Sequence, residues 1–147
     1  MKSKNYRAYL GAMGEALVAA DLLKNGFNPH IPLTNNSPYD ILVTKGSIRF
    51  RIQVKYRSIQ RGAVEVAMRR STQKGYVPYK DGFDILALVT EGNRIAYLHR
   101  SELEKSITLR IYKSKNNQSK HVNHFSKYQC IHAAIIRSRN KSITRLG

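Results

Sequence analysis

Hydrophobic positions change period several times along this chain, and each change marks an element. From roughly Asn5 to Asn25 they recur at helical spacing: Leu10, Met13, Leu17 and Ala20 share one arc, with Leu23 near it. Lys24-Asn25-Gly26 then supplies a cation in the last turn and a stop. The opposite arc is not polar, holding Gly11, Gly14, Val18 and Leu22 with Glu15 among them. A helix apolar or small nearly all round is expected to be covered on most sides. Interior glycines cost about 1 kcal/mol each relative to Ala, so the two here predict close approach of another backbone.

After Gly26 the helical period ends. Phe27 to Leu33 reads as a short strand, and Pro29 and Pro32 place it at a sheet edge. Residues 34–38 form a loop. Tyr39 to Lys45 and Ser47 to Arg57 read as two strands of a hairpin turning at Gly46. The second alternates strictly: Ile48, Phe50, Ile52, Val54 and Tyr56 on one face, Arg49, Arg51, Gln53, Lys55 and Arg57 on the other. Ala63 to Met68 is a further strand, and 69–82 is expected to be a polar loop. Phe83 to Thr90 is a nearly continuous apolar run, the pattern of a strand buried on both faces. A turn at 91–93 leads into Arg94 to His99. Ser101 is expected to cap a short turn, and Ile107 to Tyr112 to be extended. Lys113 to Val122 is a basic, Asn/Gln/Ser-rich loop. Phe125 to Arg139, with Tyr128, Ile131 and Ala134 or Ile135 at helical spacing, predicts a second helix.

Length and charge narrow the partners. The chain has 147 residues with 26 Lys+Arg against 9 Asp+Glu, a formal net charge of +17. From Lys105 to the end there are ten basic residues and no acid. A compact domain so charged repels itself unless a polyanion offsets the charge. The 41% hydrophobic content, with 9 Tyr and 4 Phe, argues for a packed core rather than disorder. No apolar run approaches the ~18 residues of a membrane span, so no membrane partner is expected. The basic N-terminus lacks the apolar core of a signal peptide. One Cys fits a reducing compartment, and a bacterial cytoplasmic, nucleoid-associated location is the expectation. No repeat or internal boundary is visible, so residues 1–147 are expected to form one domain.

With only nine acids, each can be weighed. Glu102 and Glu104 follow Ser101 in a capping-like setting, Asp21 and Glu91 are expected to face solvent, and Asp81 lies in a loop. Glu65 falls on a polar strand face. Asp84 opens an apolar strand, as a turn partner or in a buried salt bridge. Glu15, Asp40, Gln53 and Lys55 differ. Asp40 follows a Ser-Pro-Tyr turn, and Gln53 and Lys55 lie two apart on one strand face, about 7 Å along the strand. The hairpin brings Asp40 beside them, and Glu15 comes down on the group from its helix. Oxygen ligands of this kind suit a divalent metal. Such a metal polarises a phosphoryl oxygen and acidifies water, and a lysine offsets charge building on phosphorus or orients the attacking water. The five histidines show no trusted metal-ligand spacing.

These residues carry a resemblance. Ser37-Pro38-Tyr39-Asp40 followed by Gln53-Val54-Lys55 resembles the PD-(D/E)XK nuclease motif, and Gly14-Glu15 on the preceding helix matches that superfamily's first acid. Within it the chain most resembles the homing endonucleases of group I introns of cyanobacterial type, which share the Gln-x-Lys variant. Archaeal Holliday-junction resolvases are next by layout. The resemblance implies an α/β fold with a mixed sheet and a restriction-endonuclease-like core. That core is a helix, then an antiparallel strand meander with a later buried strand, plus a C-terminal helix. The motif core spans about 11–103. Residues of about 113–140, the basic loop and the C-terminal helix, are expected to serve DNA contact and oligomerisation.

The resemblance further implies that Asp40 is the principal metal ligand, Glu15 a second acid, the Val54 carbonyl a further ligand and Lys55 the catalytic lysine. Gln53 stands where most members have Asp or Glu; its amide carbonyl can ligate but adds no charge, which leaves the number of metals open. The ion is expected to be Mg²⁺, with Mn²⁺ able to substitute. Arg57, Arg61, Arg69, Arg70 and Lys74 flank the motif as candidate contacts to double-stranded DNA. Lys113, Lys115, Asn116, Asn117, Gln118 and Lys120 form a second group. Cations give salt-sensitive phosphate affinity, and Asn and Gln read base edges. One site cuts one strand, so a double-strand break implies at least a homodimer. Tyr128, Ile131, Ile135 and Ile136 of the last helix form the candidate interface, and the family points to a dimer of dimers. Three readings follow: a sequence-specific homing endonuclease, a Holliday-junction resolvase with the same site, and a non-catalytic nucleic-acid-binding protein.

Overall fold

The structure, a computed structural model, describes residues 4–67, 69–73, 75–78, 82–103, 106–114, 116 and 122–146. Helix α1 (Lys4–Lys24) leads into edge strand β1 (Asn28–His30), then the hairpin β2 (Ile41–Lys45) and β3 (Ile48–Tyr56). β4 (Ala63–Val66), β5 (Arg69–Thr72), β6 (Gly75–Pro78), β7 (Ile85–Thr90) and β8 (Arg94–His99) follow. The chain ends through β9 (Ile107–Arg110), β10 (Asn123–His124), a 3₁₀ turn (Phe125–Tyr128) and helix α2 (Ile131–Leu146). The main sheet has the order β1-β2-β3-β7-β8, with β3 and β7 parallel and the other pairs antiparallel. This is a mixed α/β fold of three layers.

Alternation decides the layers. Val18 and Leu22 of α1 and Ile131 and Ala134 of α2 bury against Val43, Ile52, Val54, Ala87 and Val89 on one face of the main sheet. On the other face Leu86, Leu88, Ala96 and Leu98 pack with Val64, Val66 and Leu109 of the small β10-β9-β4 sheet. β7 lies between the two cores, and every one of its residues is buried. That explains its continuous apolar run.

Several sequence expectations change. α1 turns its Gly14-Val18-Leu22 arc inward, while Met13, Ala20 and Leu23 of the predicted core arc are exposed. The expected close approaches at its glycines are missing. A Cβ on Gly14 would make ordinary contacts with Val54 and Val89, and one on Gly11 would meet nothing within 4 Å. Asp21 does not simply face solvent, because the buried Tyr97 hydroxyl donates to its Oδ2 at 2.6 Å and ties α1 to β8. Burial and then that bond push the Tyr97 pKa far up, so the phenol stays protonated. The loop expected over 69–82 contains the β5–β6 hairpin. His99, not Ser101, caps the turn after β8, with Glu102 accepting from the His99 backbone N–H. Phe125 opens a 3₁₀ turn rather than the last helix, which begins at Ile131. Glu102 then pairs with Arg137 of α2 at 2.6 Å.

Candidate active site

Asp40 is set by its neighbours on both sides in sequence. Its backbone N–H donates to the Ile52 carbonyl at 2.9 Å, extending the β2–β3 ladder by one bond. Ahead of it, the Ser37 hydroxyl accepts from Tyr39 N–H at 3.4 Å, and Pro38 lies on Gly82. A Cβ on Gly82 would sit 2.4 Å from the Pro38 Cβ, so only glycine lets this turn close. The stretch leading into β7 therefore supports the turn that delivers Asp40.

Oδ2 of Asp40 accepts from Nε2 of Gln53 and from the backbone N–H of Val54, each at 2.7 Å. A carboxylate only accepts, so the Gln53 amide nitrogen faces it and the amide carbonyl is turned away. Oδ1 takes neither of these bonds. In β3, Ile52 and Val54 both direct backbone groups towards Asp40, while Arg51 accepts from Asp84 N–H on the β7 side. N–H and C=O of one strand residue point to the same side, so the Val54 carbonyl also lies on the Asp40 side, just past the start of β2.

Glu15 joins Asp40 in lining a small pocket with Ile31, Pro32, Thr34, Asn35, Ser37 and Tyr39. Burial and then the charge of Asp40 raise the Glu15 pKa above its usual 4.5. Burial also raises Asp40 above 3.8, partly opposed by the Val54 N–H and by the charge of Lys55. A carboxylate whose charge is penalised by a second one, with a lysine alongside, forms a ready place for a cation. Among the described residues no group of three or more His, Cys, Asp or Glu is placed to hold a metal. A bound ion would rely on the pair and the Val54 carbonyl, an all-oxygen set that fits a hard divalent cation; the Gln53 carbonyl would join them only if its amide turned over. The four residues singled out from the sequence thus converge.

Asp84 resolves as a bidentate pair with Arg51: Nη2 reaches Oδ1 at 3.0 Å, while Nε and the Arg51 backbone N–H reach Oδ2 at 3.1 and 2.7 Å. Burial raises the Asp84 pKa, but these bonds outweigh it and bring the value below 3.8. Glu91 is not merely solvent-facing. Its Oε2 accepts from Ile59 N–H at 2.8 Å and from the Thr90 hydroxyl at 2.7 Å, holding the chain that leaves β3.

Beyond β3 the predicted cations separate. Arg57 is exposed, with its backbone N–H bonded to the Val89 carbonyl. Gln60 and Ala63 exchange both hydrogen bonds of a tight turn whose central residues, Arg61 and Gly62, have φ of 51° and 77°. A left-handed arginine is uncommon, and it is fixed because Nη1 of Arg110 donates to the Arg61 carbonyl at 2.6 Å. Arg61, Lys113 and Asn116 share one cleft with Gly62, Arg110, Tyr112 and Ser114. The guanidinium of Arg94 lies over the Tyr112 ring at 5.6 Å. Arg94, which opens β8, Arg110, which ends β9, and Tyr112, two residues beyond it, were not singled out from the sequence. Arg69 and Arg70 stand in β5. Lys74, Lys115, Asn117, Gln118 and Lys120 lie outside the described residues. The expected oligomer face on α2 is largely lost to the core, because Ile131 is buried and Ile135 packs against it, leaving Ile136 exposed.

Comparison with known proteins agrees with this geometry. The sequence profile of the PD-(D/E)XK endonuclease family matches residues 6–131, which include all four converging residues. Protein 5.3 of Escherichia phage T7 is 35% identical over 89 residues, covering 59% of this chain and 75% of that protein. The fold is similar to that of a bacterial homing endonuclease, I-Ssp6803I, with a TM-score of 0.68 at 18% identity, covering 97% of this chain and 98% of the other. Members of the family generally use divalent metal ions. With the profile spanning most of its length and the motif residues gathered at one point, this chain belongs to the PD-(D/E)XK endonucleases.

Proposed function

We propose that this nuclease hydrolyses phosphodiester bonds of double-stranded DNA at chosen sequences, using Mg²⁺, or Mn²⁺ in its place. The observation that carries the reading is the convergence of Glu15, Asp40, Gln53 and Lys55 in a chain of net charge +17. Asp40 through Oδ1, Glu15 and the Val54 carbonyl would hold the ion, while Gln53 holds Asp40 through its amide nitrogen. When bound there, it polarises the scissile phosphoryl group and acidifies water. Lys55 offsets the negative charge that builds on the phosphoryl oxygens. Arg57 and the Arg61–Arg110–Lys113 cleft hold flanking phosphates, so the duplex is registered before any bond breaks. Likeness to a homing endonuclease over nearly the full length of both chains supports the narrower reading of a homing enzyme.

A double-strand break needs two sites, so we place at least a homodimer in the reaction. Tyr6, Tyr9, Met13, Ala16, Ala20 and Leu23 are all exposed and are spaced alternately three and four residues apart on α1. An antiparallel copy would set Tyr6 against Leu23 and Tyr9 against Ala20, with Met13 against Ala16 at the centre. This face replaces α2 as the candidate interface.

Cleavage assays on plasmid duplex and on a four-way junction, with Mg²⁺ or Mn²⁺, test the reading. Duplex cutting at reproducible positions is expected. Cutting of the junction alone would assign a resolvase, and cutting of neither would remove the enzyme reading. Binding should weaken with salt, log K falling by about 0.9 per phosphate contact for each unit of log salt.

A further inference from the structure

The nine residues from Ile31 to Tyr39 carry no charged side chain, in a chain where 26 of 147 residues are Lys or Arg. This segment joins β1 to Asp40 and forms the wall of the pocket that Glu15 and Asp40 share. Tyr39 at its end packs on the core, but two of its apolar side chains are not folded inward. Leu33 is fully exposed, at 105% of its reference surface, and Ile31 is 56% exposed. Among the described residues Leu33 is the most exposed large hydrophobic side chain. A single exposed leucine is ordinary on a protein surface. Here the location is the informative feature, because the leucine stands at the rim of the candidate active site.

Resting on the nuclease reading above, we infer that residues 31–36 contact the bases and sugars of the nucleotides beside the scissile phosphate, with Leu33 as the apolar anchor. A phosphate delivered to Asp40 and Glu15 enters a pocket walled by Ile31, Pro32, Thr34 and Asn35, so the nucleotide carrying it lies against this segment. With no cation, the segment is poorly suited to neighbouring phosphates, and affinity for those resides in the arginine clusters. It offers instead what base steps and base edges accept. Leu, Ile and Pro act as wedges against base steps. Asn pairs with adenine edges and Thr with several bases. The segment is also restrained, since Pro32 and Pro38 limit its backbone and Pro38 is seated on Gly82. Its neutrality serves the site as well, because an arginine here would compete with the metal for the two carboxylates.

The test compares wild type with Leu33→Ala and Asn35→Ala on a duplex pool of randomised sequence with Mn²⁺, alongside binding measured over a range of salt. Leu33 has no cover in the free chain, so Leu33→Ala leaves the melting temperature unchanged. On the preferred wild-type sites it lowers kcat/KM about tenfold, the scale of a few methyl groups leaving an apolar contact. It also relaxes base preference next to the cut, and the salt slope of binding stays as in wild type because no phosphate contact is lost. Asn35→Ala relaxes preference at a neighbouring base. The inference is overturned if wild type cleaves and both variants match it in rate and base preference, or if Leu33→Ala acts by dissociating an oligomer. A wild type that cleaves no substrate overturns the nuclease reading itself, a result distinct from either.

Discussion

Gln53 donates its side-chain amide to Oδ2 of Asp40 at 2.7 Å, so these two residues are bonded before any metal arrives. A glutamate at position 53 would face Asp40 with a second carboxylate at the same distance. Gln53→Glu is therefore expected to raise metal affinity about tenfold or more, since a charged oxygen replaces a neutral one. It also lowers the melting temperature of the metal-free chain at neutral pH through like-charge repulsion. Titration calorimetry with Mn²⁺ and metal-free melts check both. Unchanged affinity would show that a side chain at position 53 does not reach the ion.

Glu15 and Asp84 predict pH effects of opposite sign. The Glu15 pKa is raised by burial and by Asp40, so the folded metal-free chain holds that proton more tightly than the unfolded chain. Stability from this group is greatest below the usual 4.5 and falls as pH rises through the higher folded value. Glu15→Gln is thus expected to raise the neutral-pH melting temperature and to give no gain in strong acid. The Asp84 pKa is lowered, so its contribution is present above 3.8 and is lost as pH falls through the lower folded value. Asp84→Asn lowers the melting temperature at neutral pH and loses its effect in strong acid. Melts of both variants across pH decide, and a destabilised Glu15→Gln at pH 7 would contradict the burial argument.

Gly82→Ala tests how Asp40 is delivered. The new Cβ would be 2.4 Å from that of Pro38, and the proline ring cannot yield. A loss of about 2 kcal/mol is expected from such overpacking. Cleavage should fall further than stability explains, because the turn ends at Asp40. Denaturant unfolding set beside kcat separates the two effects.

Met13→Lys tests the outer face of α1. The side chain is exposed in the free chain, so the monomer melts normally. Sedimentation should show wild-type dimer and variant monomer, with single-strand nicking kept and double-strand cutting reduced. A variant that remains a dimer would move the interface elsewhere.

The active-site cluster was legible in the sequence because β3 alternates without a break. Period two alone puts Gln53 and Lys55 on one face, and the short turn at Gly46 forces Asp40 opposite them. The orientation of α1 was not legible. Both arcs are apolar, and side-chain size favours Leu10-Met13-Leu17, whereas the sheet beneath, with Val54 and Val89 under Gly14, takes the slimmer Gly14-Val18 arc. The β5–β6 hairpin was missed for a related reason, since residues 69–78 carry no alternating apolar face to announce it. The Arg61–Arg110 cleft depends on strands β4 and β9, and its key bond joins residues 49 apart. Local pattern carries no information about such pairing.

The central claim is that Asp40 holds a catalytic metal at a site built to cut DNA. Asp40→Asn keeps a side-chain oxygen to accept from Val54 N–H and removes the charge. The decisive measurement is plasmid cleavage with Mg²⁺, set beside DNA affinity, for wild type and Asp40→Asn. The account predicts that the variant binds duplex as wild type does and cleaves it about 10³-fold more slowly, the scale of several kcal/mol of lost charge stabilisation. Equal cleavage by the two proteins would contradict it.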